Sequence, residues 1–247
     1  PTRDLHLEED LQKTGFLSND LMRINQGTLL IDLRQDWNDI FQRMRKSTRK
    51  YIRRAIRSNI TIKEGSVHDL GTFYDLMLLT CQRQNVTPHP AHESFFREMW
   101  NIFNPHGHLK LMMAEYKGET LAALLLIAFN NCVTAWKIGW SGEQNDRRPN
   151  YLLHSESIKW AQKQGFEYFD FFGLDAEAAK AVQQGDPLPE DLKSTTAFFK
   201  LGFGGEPRIL SQAHIYINNP FLKYLYSHFF SRQLLSRWTN RISWKLL

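Results

Sequence analysis

The sequence predicts a mixed α/β fold of the α+β kind, with a mixed central sheet and helices packed on it. Residues 108–140 hold three apolar segments separated by the tight-turn pairs Lys117-Gly118 and Asn130-Asn131, the pattern of a three-strand meander. The middle segment, Leu121 to Phe129, is apolar at nearly every position, as a strand buried on both faces must be. Before and after the meander, apolar residues recur at helical spacing. A composition of 42% hydrophobic and 23% charged residues leaves enough apolar surface for a core.

Residues 1–35 read as a connecting piece. Within it Thr28–Leu33 suits a strand, with no local partner, so its pairing is expected with residues outside this chain. Asp36–Arg57 reads as one long amphipathic helix, with Trp37, Ile40, Phe41, Met44, Tyr51, Ile52 and Ala55 on one face. Asp36 is its N-cap. Ile60–Ile62 is a short strand. Ser66 and Asp69 resemble a capping box, followed by a helical face from Leu70 to Cys81 and a further helix over His92–Phe103. The meander strands are His108–Tyr116, Glu119–Phe129 and Cys132–Trp140. Pro149 opens a helix that runs to Gln164, and Gly165 closes it. Phe166–Phe172 is an aromatic strand, 174–193 a polar loop, and Ile209–Ile217 a strand. Two short basic helices, near Phe221–Phe230 and Arg232–Leu246, end the chain. The expected organisation is 1–58 as the end of a first domain including the basic helix, 59–217 as the main domain, and 218–247 as basic amphipathic helices.

The net charge of +5 is unevenly spread. Residues 37–57 carry eight Lys/Arg against one acid, and residues 208–247 carry six with no acid. Such patches suit phosphate, nucleic acid or an anionic membrane surface. Arg49, Lys50, Arg53 and Arg54 are the candidate nucleic-acid or anion contacts. Two cysteines, Cys81 and Cys132, make no disulfide framework and point to a reducing compartment. No apolar run is long enough to cross a membrane, and the acidic start is not a signal peptide. His89, His92, His106 and His108 lack metal-ligand spacing, so no metal is expected.

The stretch Phe198-Phe199-Lys200-Leu201-Gly202-Phe203-Gly204-Gly205 sets one lysine among aromatics before a glycine-rich turn. Locally it reads as a helix end, with Lys200 in the last turn, glycine as the C-cap and Phe203 as its hydrophobic contact. A lysine there loses part of its water, which strengthens its charge toward anything entering the site.

Two helices, a three-strand meander, then helix, strand, helix and strand is the element order of GNAT-type acyltransferase domains. There an acyl donor sits where two central strands splay apart. Acyl-CoA enzymes of that type bind pyrophosphate at the loop before the helix that follows the meander. Here that loop, Ser141–Asn150, has one glycine, acids and a proline that removes a donor. It is a poor pyrophosphate cradle, and no cofactor is expected.

Three segments carry a closer resemblance. Arg49-Lys50-Tyr51-Ile52-Arg53-Arg54-Ala55-Ile56-Arg57 resembles the basic helix of Fem-type peptidoglycan-bridge aminoacyltransferases. Tyr151–Ala161 with Tyr168-Phe169-Asp170-Phe171-Phe172-Gly173 is similar to that family's helix and aromatic strand. Phe199-Lys200-Leu201-Gly202-Phe203-Gly204-Gly205-Glu206 resembles its Lys-Gly segment. Leu174 stands where the family's strand has a second glycine. The resemblance implies two GNAT-like domains, of which this chain holds the second and the end of the first. It implies transfer of an amino acid from aminoacyl-tRNA to the amine of a lipid-linked or nucleotide-linked peptidoglycan precursor. The implied location is the cytoplasm, with peripheral contact at the inner membrane face. Lys200 is the candidate for stabilising the oxyanion of transfer, or else for holding a tRNA phosphate. Asp170 is the candidate base, or else a structural acceptor. Phe199 and Tyr151 would line the substrate channel, and Arg83 would take the precursor's diphosphate. Two other readings stand beside this one. The first is a GNAT-like N-acyltransferase of surface polysaccharide or lipid synthesis using another acyl donor. The second is a non-enzymatic module binding tRNA or anionic membrane.

Overall fold

A computed structural model describes residues 5–18, 27–211 and 213–227. Strands β1 (Leu17–Ser18) and β2 (Gly27–Asp32) follow a helix α1 (Leu5–Lys13), in the stretch expected to be connecting chain. Next come α2 (Trp37–Arg43), α3 (Lys46–Arg57), β3 (Thr61–Glu64), α4 (Leu70–Gln84) and α5 (Glu93–Phe103). The meander is β4 (Leu109–Tyr116), β5 (Glu119–Phe129) and β6 (Cys132–Trp140), as its turn pairs dictate. After it stand α6 (Pro149–Lys163), β7 (Tyr168–Asp170), α7 (Ala176–Gln184), α8 (Thr196–Leu201), β8 (Glu206–Ile209), β9 (His214–Ile215) and α9 (Pro220–Leu225).

Seven strands form one mixed sheet in the order β3-β4-β5-β6-β7-β2-β8. Among the described residues, β6–β7 is the one parallel pair of this sheet. Alternate residues of β5 feed two cores. Leu124 and Leu126 pack with Ile52, Leu153, Ile158 and Phe169 under α3 and α6, whereas Ala123 and Leu125 pack with Phe73, Phe96 and Leu111 under α4 and α5. Each large side chain fully buried there contributes roughly 1.5–3 kcal/mol.

Several expectations are corrected. The Thr28–Leu33 strand finds partners within the chain: β2 lies between β7 and β8, with Leu30 opposite Asp170 and Leu29 opposite Pro207. The sheet therefore draws strands from both sides of residue 58. The long basic helix is two helices, because Met44 and Arg45 are extended. The break frees the Arg45 N–H to donate to Gly202 O at 2.8 Å. Arg49 then spans the break, its Nη1 donating to Gln42 O at 2.5 Å and Met44 O at 2.7 Å. Asp36 caps α2 as expected, accepting from Asn38 N at 2.7 Å. The loop over 174–193 contains α7, capped by Asp175. Its alanines, Ala178 and Ala179, are small enough to be fully buried against the sheet, and low hydrophobicity hid them. The strand expected over Ile209–Ile217 is two pieces: β8 joins the large sheet, and β9 pairs with β1. Of the two C-terminal helices, α9 covers the start of the first. The second, Arg232–Leu246, lies outside the described residues.

Candidate active site

Strands β6 and β7 pair only from Cys132↔Tyr168 to Thr134↔Asp170. Beyond Thr134, β6 continues to Trp140 with no β7 residue beside it. The ladder thus ends early and leaves a gap beside β6, the kind of parting between central strands that the sequence reading expects of a GNAT-type domain.

At the β7 side of the gap the chain turns sharply. Phe172 (φ +47°) and Gly173 (φ +66°) are both left-handed. For a bulky residue such as Phe172 that costs about 1–2 kcal/mol. Asp170 holds the turn: its Oδ1 accepts from Phe172 N at 2.7 Å and from the Thr28 hydroxyl. The turned carbonyls of Phe172 and Gly173 both accept from Lys200 Nζ, the second at 2.8 Å. Lys200 sits in the last turn of α8, which Thr195 caps by accepting from Ala197 N at 3.2 Å. Gly202 is the C-cap after Lys200, as expected; it is right-handed (φ −61°), and the left-handed glycine is Gly204 (φ +76°). Burial pushes the Lys200 ammonium down to about 8, against the pull of the Asp170 charge.

An aromatic wall backs the lysine. Tyr151 lies 4.8 Å from Phe199 and 4.9 Å from Tyr51, ring centroid to centroid. His154, one helical turn beyond Tyr151, stacks flat on Phe171 at 5.3 Å and meets Phe199 edge-on at 5.1 Å. Phe203 touches Tyr151, His154, Phe171 and Phe199 and has no exposed surface. Sequence reasoning missed His154. Its place three residues after Tyr151 on one helix was the available signal. His154 Nδ1 donates to Asn150 O at 2.8 Å. Burial brings its pKa down to about 4, and the Lys200 charge pushes the same way. The ring is therefore neutral in the folded protein. An unfolded histidine takes up its proton near 6.5, so between pH 6.5 and 4 the unfolded state binds more protons. Stability is expected to fall by about 3 kcal/mol as pH drops through that window. Denaturant titrations of the wild type and His154→Gln at several pH values check this, since the variant should lose that part of the slope.

Asp170, Lys200, Phe199 and Tyr151 are thus gathered in one place. The others lie differently. Arg83, in the last turn of α4, donates through Nη1 to Ser141 O at 2.9 Å and through Nη2 to Trp140 O, with its guanidinium 4.8 Å over the Trp140 ring. It ties α4 to the end of β6, and none of its described contacts reaches Lys200. Arg54 pairs with Asp146 at 3.6 Å. Arg53 sits 5.2 Å over Phe41. Lys50 and Arg53 are exposed. Nearer the aromatic wall are two arginines the sequence did not single out: Arg45, 3.7 Å over Phe198, and Arg148, 4.5 Å over Tyr51.

The loop from Ser141 to Arg148 makes a poor pyrophosphate cradle. The N–H groups of Arg147, Arg148 and Tyr151 are spent on Gln144, Asn145 and Arg148 carbonyls. Glu143 N is spent on Ser141 Oγ at 3.1 Å. Pro149 has no N–H, and no side chain caps α6. The residues present do not fit a nucleotide pyrophosphate. A separate pocket of about 180 Å³ is lined by Asp32, Arg34, Arg43, Tyr168, Gly204 and Arg208; Lys200 is not in its wall. Among the described residues no group of three or more His, Cys, Asp or Glu could hold a metal, and no helix is long and apolar enough to cross a membrane.

The parted strands, the meander and the helix after it define a GNAT-type acyltransferase. A family profile described as acetyltransferase (GNAT) domain matches residues 42–181, more than half of the sequence, and the chain belongs to that family. No curated protein matches the sequence. Among solved structures, FemX superposes with a TM-score of 0.74 at 14% identity, covering 90% of this chain and 71% of FemX. L-PGS from Bacillus licheniformis superposes at 0.54 and 12% identity, covering 93% and 71%. The C-terminal DUF2156 domain of an Agrobacterium fabrum protein described as a lysylphosphatidylglycerol synthetase superposes at 0.52 and 10%, covering 93% and 70%. At these identities the likeness is one of fold.

Proposed function

We propose that this chain transfers an amino acid from aminoacyl-tRNA to the amine of a peptidoglycan precursor's stem peptide. The observation that carries the proposal is the ammonium of Lys200, held half-buried at the end of the β6–β7 gap by two turned carbonyls. In the reaction the acceptor nitrogen attacks the ester carbonyl carbon. A C–N bond forms, and the carbonyl oxygen becomes an oxyanion. Collapse breaks the ester C–O bond, and the proton lost by the amine leaves with the ribose oxygen of the tRNA. Lys200 supplies positive charge to the oxyanion, where a fixed donor in a partly dry site acts most strongly. Asp170 serves as a positioning residue through the turn it fixes. Phe199 and Tyr151 wall the channel. Lys50, Arg53 and Arg54 offer charge to the tRNA backbone, a contribution that weakens with salt. The likeness in fold to FemX supports this reading, and so does the poor pyrophosphate cradle.

A second reading keeps the donor and changes the acceptor to a lipid, favoured by the likeness to L-PGS. One experiment separates the readings. Aminoacyl-tRNA and acyl-CoA are offered in parallel to a muropeptide and to phosphatidylglycerol vesicles, and the labelled product is identified. Transfer from aminoacyl-tRNA to the muropeptide is expected. Transfer from acyl-CoA alone ends the proposal; transfer to the lipid alone replaces it with the second reading. Binding of tRNA with no transfer would leave a binding module.

A further inference from the structure

We infer that Lys137 is a second substrate-binding cation, one that holds an oxyanion group of the acceptor on the α4 side of the gap. The inference rests on the proposed transfer to an acceptor bearing such a group, and its geometry is independent of Lys200. The strand β6 carries a bulge against β5: Leu125 lies opposite Lys137, while the next residue, Leu126, lies opposite Ala135. Trp136 is the extra residue. Without it, alternation from Ala135, which packs in the α3–α6 core, would set residue 137 on that same side. The bulge instead places Lys137 beside Leu125, on the face covered by α4. Bulges of this kind re-aim side chains beside active sites.

The placement is tight. A Cβ on Gly139, two residues further on the same face, would come within 2.7 Å of Leu76 and Met77 in α4, so the helix lies directly on the strand there. Lys137 is half-buried at this seam and lies past Thr134, where β6 has lost β7 as a neighbour. Among the described residues no hydrogen bond or ion pair engages its ammonium, and its recorded neighbour is the Trp136 ring at 5.4 Å. Burial depresses its pKa, and Cys81 on α4 is near enough to act on it electrostatically. A partly desolvated ammonium without a counter-charge is costly, and an incoming anion offsets that cost. Arg83 is tied instead to the carbonyls of Trp140 and Ser141 at the end of β6. The ligand chemistry is a carboxylate or a phosphate. In a peptidoglycan precursor the first belongs to the stem peptide and the second to its carrier.

Calorimetric binding without any acyl donor tests the inference. The probes are a UDP-linked muramoyl pentapeptide, the free pentapeptide, its amidated form and inorganic pyrophosphate. Lys137→Met is expected to weaken binding of the UDP-linked probe at least tenfold, Lys137→Arg to restore part of it, and Lys163→Met, at an exposed lysine in the last turn of α6, to leave it within twofold. A loss mirrored with the free pentapeptide but not its amide assigns the carboxylate; a loss mirrored with pyrophosphate assigns the phosphate. Equal binding by wild type and Lys137→Met overturns the inference, as does failure of the wild type to bind any probe. Should Lys137→Met unfold, Lys137→Gln, which keeps polarity and removes the charge, carries the same comparison. Pyrophosphate binding that depends on Lys137 with no binding of either peptide keeps the anion site and removes the proposed acceptor.

Discussion

Lys200→Met is expected to lower the rate of aminoacyl transfer about 10²–10³-fold, the usual loss when one donor to a developing oxyanion is removed. Met keeps the length and apolar stem of the side chain, so the aromatic wall should stay packed. Single-turnover transfer beside circular dichroism of the variant makes the measurement. Unchanged transfer would sink the assignment. Lys200→Arg should not rescue the rate, because a planar fork cannot occupy the place of a compact ammonium between the Phe172 and Gly173 carbonyls. In the proposed role the working form is the protonated one. With its pKa drawn down to about 8, activity should decline as pH rises through that value. Stability should move the other way. Between pH 8 and the ordinary lysine value near 10.5 the unfolded chain binds the extra proton, so stability rises with pH there. Lys200→Met should lose this rise, and that test needs no substrate.

Gly204→Val is expected to destabilise the fold by about 3 kcal/mol or more. The backbone at Gly204 is left-handed, φ +76°, which a β-branched residue adopts only at a cost. Space is a second obstacle. A Cβ there would be driven into the Arg43 carbonyl and would sit 3.0 Å from Met44 N. Those atoms belong to the break between α2 and α3, which the neighbouring Arg45–Gly202 hydrogen bond pins in place. They cannot withdraw without disturbing the helices. Urea unfolding followed by tryptophan fluorescence gives the value, and Gly204→Ala should fall between Val and the wild type. A loss below 1 kcal/mol would mean that the junction is soft.

What the sequence made legible was what local chemistry decides. The meander was readable because Lys117-Gly118 and Asn130-Asn131 are turn formers flanking continuous apolar runs. Helix α6 was readable from Pro149 at its start and Gly165 at its end. The helix break at Met44–Arg45 was not, since its cause is distant: Gly202 offers a carbonyl that an uninterrupted helix could not use. The pairing of β2 with β7 and β8 was hidden for the same reason, as no local signal marks partners some 140 to 180 residues away. In the candidate site, Lys200, Phe199, Tyr151 and Asp170 stood out by type and neighbourhood. Lys137 did not, because its exposure to one face of the sheet depends on a bulge, and a one-residue slip in register leaves no trace in composition. His154 looked like one polar residue in a helix until Phe171, Phe199 and Phe203 closed around it.

The turn at Phe172–Gly173 has a consequence for selectivity. An ammonium carries three hydrogens, and two of Lys200's are committed to main-chain oxygens. What remains is a donor with a single aim, whose direction is dictated by the strand rather than by rotation of the side chain. A guest presenting one oxygen in that line is received fully, and a second oxygen on the same guest finds no matching hydrogen. In the proposed transfer this suits a carbonyl oxygen that turns into an oxyanion, since that centre presents a single acceptor along the line.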